Sequence, residues 1–271
     1  MIIDDFIPSG IQMVEQAIAM LEFVAARSNP VKLAQLSRDL DLDRNTVYQL
    51  TRALVTLDYL EVGDRGYVLG PKPLVLSRST TVGALLLRKS EPHMQELCDR
   101  TQEITNLGIR RRDEVFYLSR WEVVNPQPGL YIRTGEKASL YASAMGKVLL
   151  AGMSAEQRAA YYKRCTFTKF THRTIDSADE LEQAIQAVYR DGFARDMEEL
   201  STGVRCVAVP LKVDDVIVAA LSISSPTVRF DEHVEDVNVS LLMQTSRAIS
   251  RDLKPYLEDH ASWVFATSSR T

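Results

Sequence analysis

The chain is poor in the residues that staple, ligate or catalyse. Of its 271 residues only three are cysteine and four are histidine. Cys98, Cys165 and Cys206 share no short spacing, which excludes a zinc knuckle and a disulfide framework. His93, His172, His233 and His260 are equally scattered, so neither a metal site nor a cofactor is expected. The chain has no Gly-x-Ser-x-Gly elbow, Ser-x-x-Lys, Walker loop, zinc-protease histidine pair or dinucleotide glycine fingerprint. Ser143, His172 and Asp196 could be imagined as a triad, but nothing in the sequence sets His172 beside a serine. No catalytic residue is assigned, and a hydrolase using Ser143 is the remaining enzymatic alternative. No apolar run approaches the roughly 20 residues of a membrane helix, and the N-terminal MIIDDFIPSG lacks the basic start and apolar stretch of a signal peptide. A soluble, cytoplasmic protein without a membrane partner is expected. Positive charge is also short, with a net charge of -4. That balance governs solubility and non-specific attraction, whereas local distribution decides nucleic-acid binding.

What is present is organised in two parts. Ile11, Val14, Ile18, Leu21 and Ala25 recur at helical spacing and predict a first amphipathic helix through about Ala26, broken by Ser28, Asn29 and Pro30. Leu33, Leu36 and Leu40 predict a short second helix, ended by Asp41-Leu42-Asp43. Asp43 is placed as the N-cap of a third, whose stripe Val47, Leu50, Leu54 and Leu57 is expected to be buried. The opposite face carries Asn45, Tyr48, Gln49 and Arg52, with Arg44 and Thr46 at the helix start and no acidic residue from Arg44 to Leu57. Such side chains suit base edges and phosphates in a major groove. Leu60 and Val62, then Tyr67 and Leu69, flank Gly63-Asp64-Arg65-Gly66, a hairpin signal with Arg65 at its tip. Three helices and a hairpin spell a winged helix-turn-helix over residues 10–70. A protein-interaction module of the same shape is the rival reading.

Pro71 and Pro73 stop the wing, and Val82 to Arg88 resume a helix, read as a linker over 71–90. Residues 91–257 alternate strands and helices. "LGIRRRDEVFYLSRW" predicts two strands around an Arg110–Asp113 turn, and "NPQPGLYIRTGEKASLY" a loop and a strand. A helix is expected from Ser143 to Ala151, with Ser154/Gln157 and Ser177/Glu180 as capping boxes for the next two. Gly192 closes the latter. "VRCVAVPLKVDDVIVAALSIS" reads as a hairpin turning at Asp214-Asp215, before a final helix from about Glu232 to Leu257 and a tail over 258–271.

"LAQLS", "NTVYQL" and "LDYLEVGDRGYVLG", then "LYASAMGKVLLAGM", "FTHRTI", "DGFARDMEELSTGVRCVAVPL" and "AALSISSPTVRF", resemble the IclR-type transcriptional regulators in order and spacing over roughly residues 10 to 254. The resemblance implies a winged helix that dimerises on double-stranded operator DNA and a GAF-like α/β domain that binds a small effector. Family members regulate catabolic operons, as repressors or activators, often as dimers of dimers. The effector pocket carries over to Ala144 and Met145 at a helix start, to Asp196, to Cys206 and to Ser222 and Ser224. The chemistry agrees: free N–H groups at a helix start favour an anion such as a carboxylate. Ser222 and Ser224 share one face of a strand. Cys206 stays open between a small buried hydrophobe and a ligand contact, and Asp196 between a ligand contact, a cap, and a partner for Arg195 or Arg205. Lys147 is read as reaching to solvent and left out. Met145, Gln49 and Asn45 depart from residues frequent in the family, so effector size and base preference do not carry over. "LYASAMGKVLLA" and "SISSPTVRF" are most similar to members governing sugar-acid catabolism, which points to an acid derived from a sugar.

Overall fold

The computed structural model describes residues 11–27, 29–77, 82–122 and 132–257. Ser28, the whole "NPQPGLY" segment and the tail from 258 lie outside the described residues. The chain divides into two compact units, Met1–Thr80 and Thr81–Thr271.

In the first unit, α1 (Gln12–Ala25), α2 (Leu33–Asp39) and α3 (Arg44–Thr56) precede a hairpin of β1 (Leu60–Gly63) and β2 (Gly66–Leu69), then the short α4 (Lys72–Ser77). Asp43 caps α3 by accepting the N–H groups of Asn45 and Thr46, each at 3.0 Å. Gly63 pairs with Gly66, leaving Asp64 and Arg65 as the turn. Gly66 has φ +135°, and a Cβ there would stand 2.5 Å from the Val31 carbonyl oxygen. Glycine is needed because the wing closes against the chain entering α2, where Val31 bridges to Tyr67.

Two expectations fail in this unit. The stripe assigned to the core of α1 is outside it: Ile11, Val14 and Ile18 are 40%, 55% and 49% exposed. Helix α1 is apolar on more than one face, and the face that meets α3 is Met20 and Val24, fully or nearly buried beside Leu36, Val47, Leu50 and Leu54. Leu57 is also exposed, because it caps α3 beyond the last turn that the core covers. The exposed Val14, Ile18 and Leu57, with Leu21, Leu54 and Tyr59 at the edge of the core, line an open apolar cleft.

The second unit opens with α5 (Val82–Thr101). The expected linker helix therefore does not end near residue 90. Leu86, Ser90, Met94 and Leu97 keep one buried face beyond Pro92, and the helix packs on α9 (Glu232–Leu257). Strands β3 (Ile104–Arg111), β4 (Glu114–Trp121), β5 (Lys137–Ser139), β6 (Ala194–Met197), β7 (Val204–Val213) and β8 (Val216–Pro226) form an antiparallel sheet ordered β5-β4-β3-β8-β7-β6. β6 was absent from the sequence reading. It is four residues long, with Ala194 and Asp196 inward and Arg195 outward. Leu107, Val207, Val209, Leu221 and Ile223 face α5 and α9. On the other face Ala208, Ala220 and Tyr117 meet α6 (Ala144–Ala151), backed by α8 (Ala178–Asp191). The sheet is thus covered on both faces by helices.

Helix α7 (Ala155–Arg164) begins in the expected capping box of Ser154 and Gln157. The second box is half formed: Ser177 accepts from the Glu180 N–H, while the Glu180 carboxylate takes the Asp176 N–H instead. Gly192 ends α8 with φ +80°. Between α7 and α8, Arg158 grips Glu182 through two 3.0 Å bonds, joined by the Tyr162 hydroxyl at 2.6 Å. Arg158 above all holds the Glu182 carboxyl down at about 2. A depressed carboxylate stabilises the fold above its ordinary value of 4.5 and loses that contribution as pH falls toward about 2. Glu182→Gln should therefore lower stability at neutral pH and match the parent below about pH 2. Urea denaturation across that range checks it.

Candidate functional site

The first candidate site is the outer face of α3. Arg44, Asn45, Tyr48, Gln49 and Arg52 are all exposed, as is Arg65 at the hairpin turn. The Arg52 guanidinium lies 5.7 Å from the centre of the Tyr48 ring, which holds two of the polar side chains side by side. Thr46 is half-buried, and both its N–H and its side chain engage Asp43. Two of the acidic residues nearby are engaged. Asp43 is the cap, its carboxyl drawn below the ordinary carboxylate range by Thr46, and Asp39 pairs with Arg38 at 2.8 Å. The outward surface of α3 is polar and cationic although the chain is acidic.

The second site is a pocket beneath the start of α6. It encloses about 520 Å³ of empty space, part of it open to solvent, and its walls include Ala144, Met145, Asp196, Cys206, Ser222 and Ser224. Sheet register explains why. Asp196 on β6 pairs with Cys206 on β7, which pairs with Ser224 on β8, so the three stand in one row on one face. The neighbouring row runs Ala208, Ser222, Asn106 and Arg120. Helix α6 lies over these rows because small residues admit it. A Cβ on Gly108 would crowd the Met145 sulfur at 3.1 Å, and one on Gly146 would collide with the Leu140 backbone. Ser143 caps α6 by accepting the Gly146 N–H at 3.1 Å and donates to the Ser139 carbonyl at 2.9 Å. Among the described residues no acceptor meets the Ala144 or Met145 N–H, and both border the pocket.

Asn106 is a residue that sequence reasoning missed. Its amide N–H₂ donates to Ser222 Oγ at 3.3 Å and to Ser224 Oγ at 3.2 Å, while its own oxygen is buried without a partner. The signal in the sequence is weak: Ile104-Thr105-Asn106-Leu107 is half polar, although all four residues are buried. It was lost because the strand was expected to begin at Leu107. Tyr117 and Arg120 also line the pocket. Burial pushes the Tyr117 hydroxyl upward, so it remains a neutral phenol. Arg120 donates to the Ile132 carbonyl at 2.6 Å and pairs with Glu122 at 2.7 Å.

Asp196 pairs with neither Arg195, which binds Glu235 at 2.6 Å, nor Arg205, which lies 3.9 Å from Glu198. It accepts the N–H of Glu199 at 2.7 Å and of Leu200 at 3.4 Å. Burial, then the nearby Glu199 carboxylate, push its carboxyl up to about 7, with Lys147 and the two N–H groups pulling the other way. Lys147 does not reach solvent. Its side chain is 4% exposed, with Nζ 2.5 and 2.6 Å from the Glu199 oxygens and 2.8 Å from the Arg195 carbonyl. Lysine follows α6 under the sheet edge because β6 and the Glu199 turn wall it in. Cys206 packs against the core, borders the pocket and donates its S–H to Ser224 Oγ at 3.1 Å, its thiol pushed upward by burial. His172 is exposed on the loop after α7 and borders a different cleft, with Met197 and Glu199, while Ser143 and Asp196 line the pocket under α6.

Residues 13–63 match the model of the IclR helix-turn-helix domain, and residues 79–251 match that of the bacterial transcriptional regulator IclR C-terminal domain. The chain belongs to the IclR family. It is 33% identical to the regulator XynR of Escherichia coli over 90% of this chain and 97% of that one. It is 29% identical to E. coli KdgR over 91% and 94%. A solved putative transcriptional regulator from Rhodococcus is similar in structure, with a TM-score of 0.72 at 29% identity, covering 89% of this chain and 98% of that one. As an IclR-family member the protein is a DNA-binding transcriptional regulator with a ligand-binding C-terminal domain, not an enzyme. No described helix is long and apolar enough to cross a membrane.

Proposed function

We propose that this regulator controls a catabolic operon from the cytoplasm and that a small hydroxylated carboxylate in the α6 pocket sets its operator affinity. The observation that carries this is the pocket's donor set: two N–H groups at a helix start that meet no acceptor among the described residues, two serine hydroxyls, and a buried carboxyl poised near neutrality. The helix start favours the carboxylate. The serines hydrogen-bond its oxygens, and Asp196 meets the hydroxyl end. That arrangement favours sugar acids over plain fatty acids.

On α3, Asn45, Tyr48 and Gln49 are the base readers, while Arg44, Arg52 and Arg65 hold phosphate; Thr46 serves chiefly the cap. Gln49→Ala should cost about 1–3 kcal/mol at the cognate operator and relax sequence preference. Arg52→Ala should weaken cognate and random DNA alike and flatten the salt slope by about one unit. Titrations of labelled DNA at several salt concentrations separate the two, and a Gln49→Ala protein with parental selectivity would refute the assignment.

A single winged helix reads a short half-site, so a homodimer on a pseudo-palindrome is required for tight binding. The apolar cleft of α1 and Leu57 supports a seam between two copies there. A second pairing through the C-terminal units would give a dimer of dimers. Ile18→Glu should split the first seam, read by sedimentation; a parental oligomer would contradict it.

A further inference from the structure

Helix α9 carries a charge pattern that is left largely without partners among the described residues. Its outward side shows Glu232, Asp236, Ser240, Gln244, Arg247 and Arg251, all exposed. The acidic residues occupy the first two turns and the basic ones the last three. Asp236 and Arg247 lie on nearly the same side of the helix, since eleven positions make about three turns. Glu232 and Arg251 flank that line. Both pairs share one midpoint, between Leu241 and Leu242, and the exposed residues beside it, Ser240 and Gln244, are uncharged.

The helix dipole explains only part of this. Its influence is confined to the first and last turns, whereas Asp236 sits in the second turn and Arg247 ten residues before the end. Other cations on this side are engaged within the chain: Lys254 lies 3.2 Å from Asp214, and Arg229 holds Glu103 at 2.8 Å. Among the described residues the ion pair of Arg251 is a 3.7 Å contact with its neighbour Asp252.

We propose that α9 is a self-recognition surface, pairing antiparallel with α9 of a second copy about a two-fold axis beside Ser240. A two-fold contact is self-complementary: each residue meets the mirror of its own partner. Turning the helix end for end about its midpoint sets Asp236 against Arg247 of the second copy and Glu232 against Arg251, twice over. The small Ser240 lets the helices approach. A parallel pairing would instead set like charges together. Exposed ion pairs are individually weak and screened by salt, so the contact fixes orientation and gains strength when copies are already joined elsewhere. This deepens the assembly reading above by naming the surface of the second pairing, and it does not depend on the α1 seam.

Sedimentation of the full chain tests it, at low salt and near 0.5 M. The parent should show two association steps, one salt-resistant and one that salt abolishes. Arg247→Asp and Asp236→Arg should each weaken the salt-sensitive step at least tenfold and leave the other intact. The double variant Asp236→Arg/Arg247→Asp should regain it, because the reversed pattern is again self-complementary. Mixing the two single variants should also restore it, which decides the matter if the double variant folds poorly. Ile18→Glu acts on the salt-resistant step alone, so failure of the seam and failure of this surface are distinguishable. A parent lacking the salt-sensitive step, or single variants that keep it, would overturn the proposal. So would mixtures that assemble no better than their components.

Discussion

Lys147→Met is expected to destabilise the C-terminal unit by about 3–5 kcal/mol, the usual cost of leaving one member of a buried ion pair alone. The lysine side chain is 4% exposed and Glu199 is 11% exposed, so water cannot replace the lost partner. Burial already pushes the Glu199 carboxyl upward against the pull of Lys147. Without the lysine it must protonate or drag solvent into the sheet edge. Replacing both residues, Lys147→Met with Glu199→Leu, should recover most of the loss, since the desolvation penalty disappears with the charges. Chemical denaturation of the three proteins checks this; equal stability of the single variant and the parent would show that the pair is not buried in solution. The consequence reaches the pocket. The Glu199 N–H donates to Asp196, so the pair fixes the turn that carries the Asp196 hydrogen bond.

The second large effect concerns Asp196 itself. With its carboxyl pushed up to about 7, the residue is largely neutral below that pH and largely charged above it. An anion bound in the same pocket favours the neutral form further. Binding should therefore take up a proton near neutrality, and affinity for a carboxylate should fall as pH rises through about 7, by at most tenfold per pH unit. Asp196→Asn keeps an oxygen to accept the Glu199 and Leu200 N–H groups but removes the titration. Its affinity should be nearly flat between pH 6 and pH 8. The sign for stability is the reverse of a salt-bridged carboxylate. A raised value in the fold means that stability is lost as pH climbs from the ordinary 3.8 toward about 7. Asp196→Asn should then be the more stable protein at pH 8. Calorimetry in buffers of different ionisation enthalpy reads the proton uptake directly, and its absence in the parent would remove Asp196 from the site.

Much of this architecture is legible in the sequence, for identifiable reasons. Caps and turns are local chemistry: the side chains of Asp43, Ser154 and Ser177 reach backbone groups a few residues away, and Gly192 and the Asp214-Asp215 turn adopt the positive φ that ends a helix or reverses a strand. An amphipathic period located α3, and two apolar runs around Asp214-Asp215 located the β7–β8 hairpin. What failed depended on distant partners. Helix α1 has apolar residues on two faces, and only the position of α3 decides that Met20 and Val24 go inward. Strand β6 is too short to announce itself, and exists because β7 offers it an edge. Lys147 looked like a solvent-seeking cation because its counterion stands far along the chain, at Glu199. The pocket was legible in half. Ser222 and Ser224 stood out as hydroxyls on an apolar strand, whereas Asn106, Tyr117 and Arg120 come from strands whose register no local pattern sets.

The central claim is that the rows of Ser222, Ser224 and Asp196 under α6 bind a hydroxylated carboxylate and that this binding changes operator affinity. One measurement addresses it: operator titration of the parent and of Ser222→Ala/Ser224→Ala, each with and without members of a panel of sugar acids and plain carboxylates. Coupling in the parent should be about 1–3 kcal/mol, and DNA should alter ligand affinity by the same factor. The double variant should bind ligand-free operator like the parent, because α3 is untouched, and should no longer respond to the acid that shifts the parent. A double variant that keeps the full response would place the effector elsewhere and contradict the account.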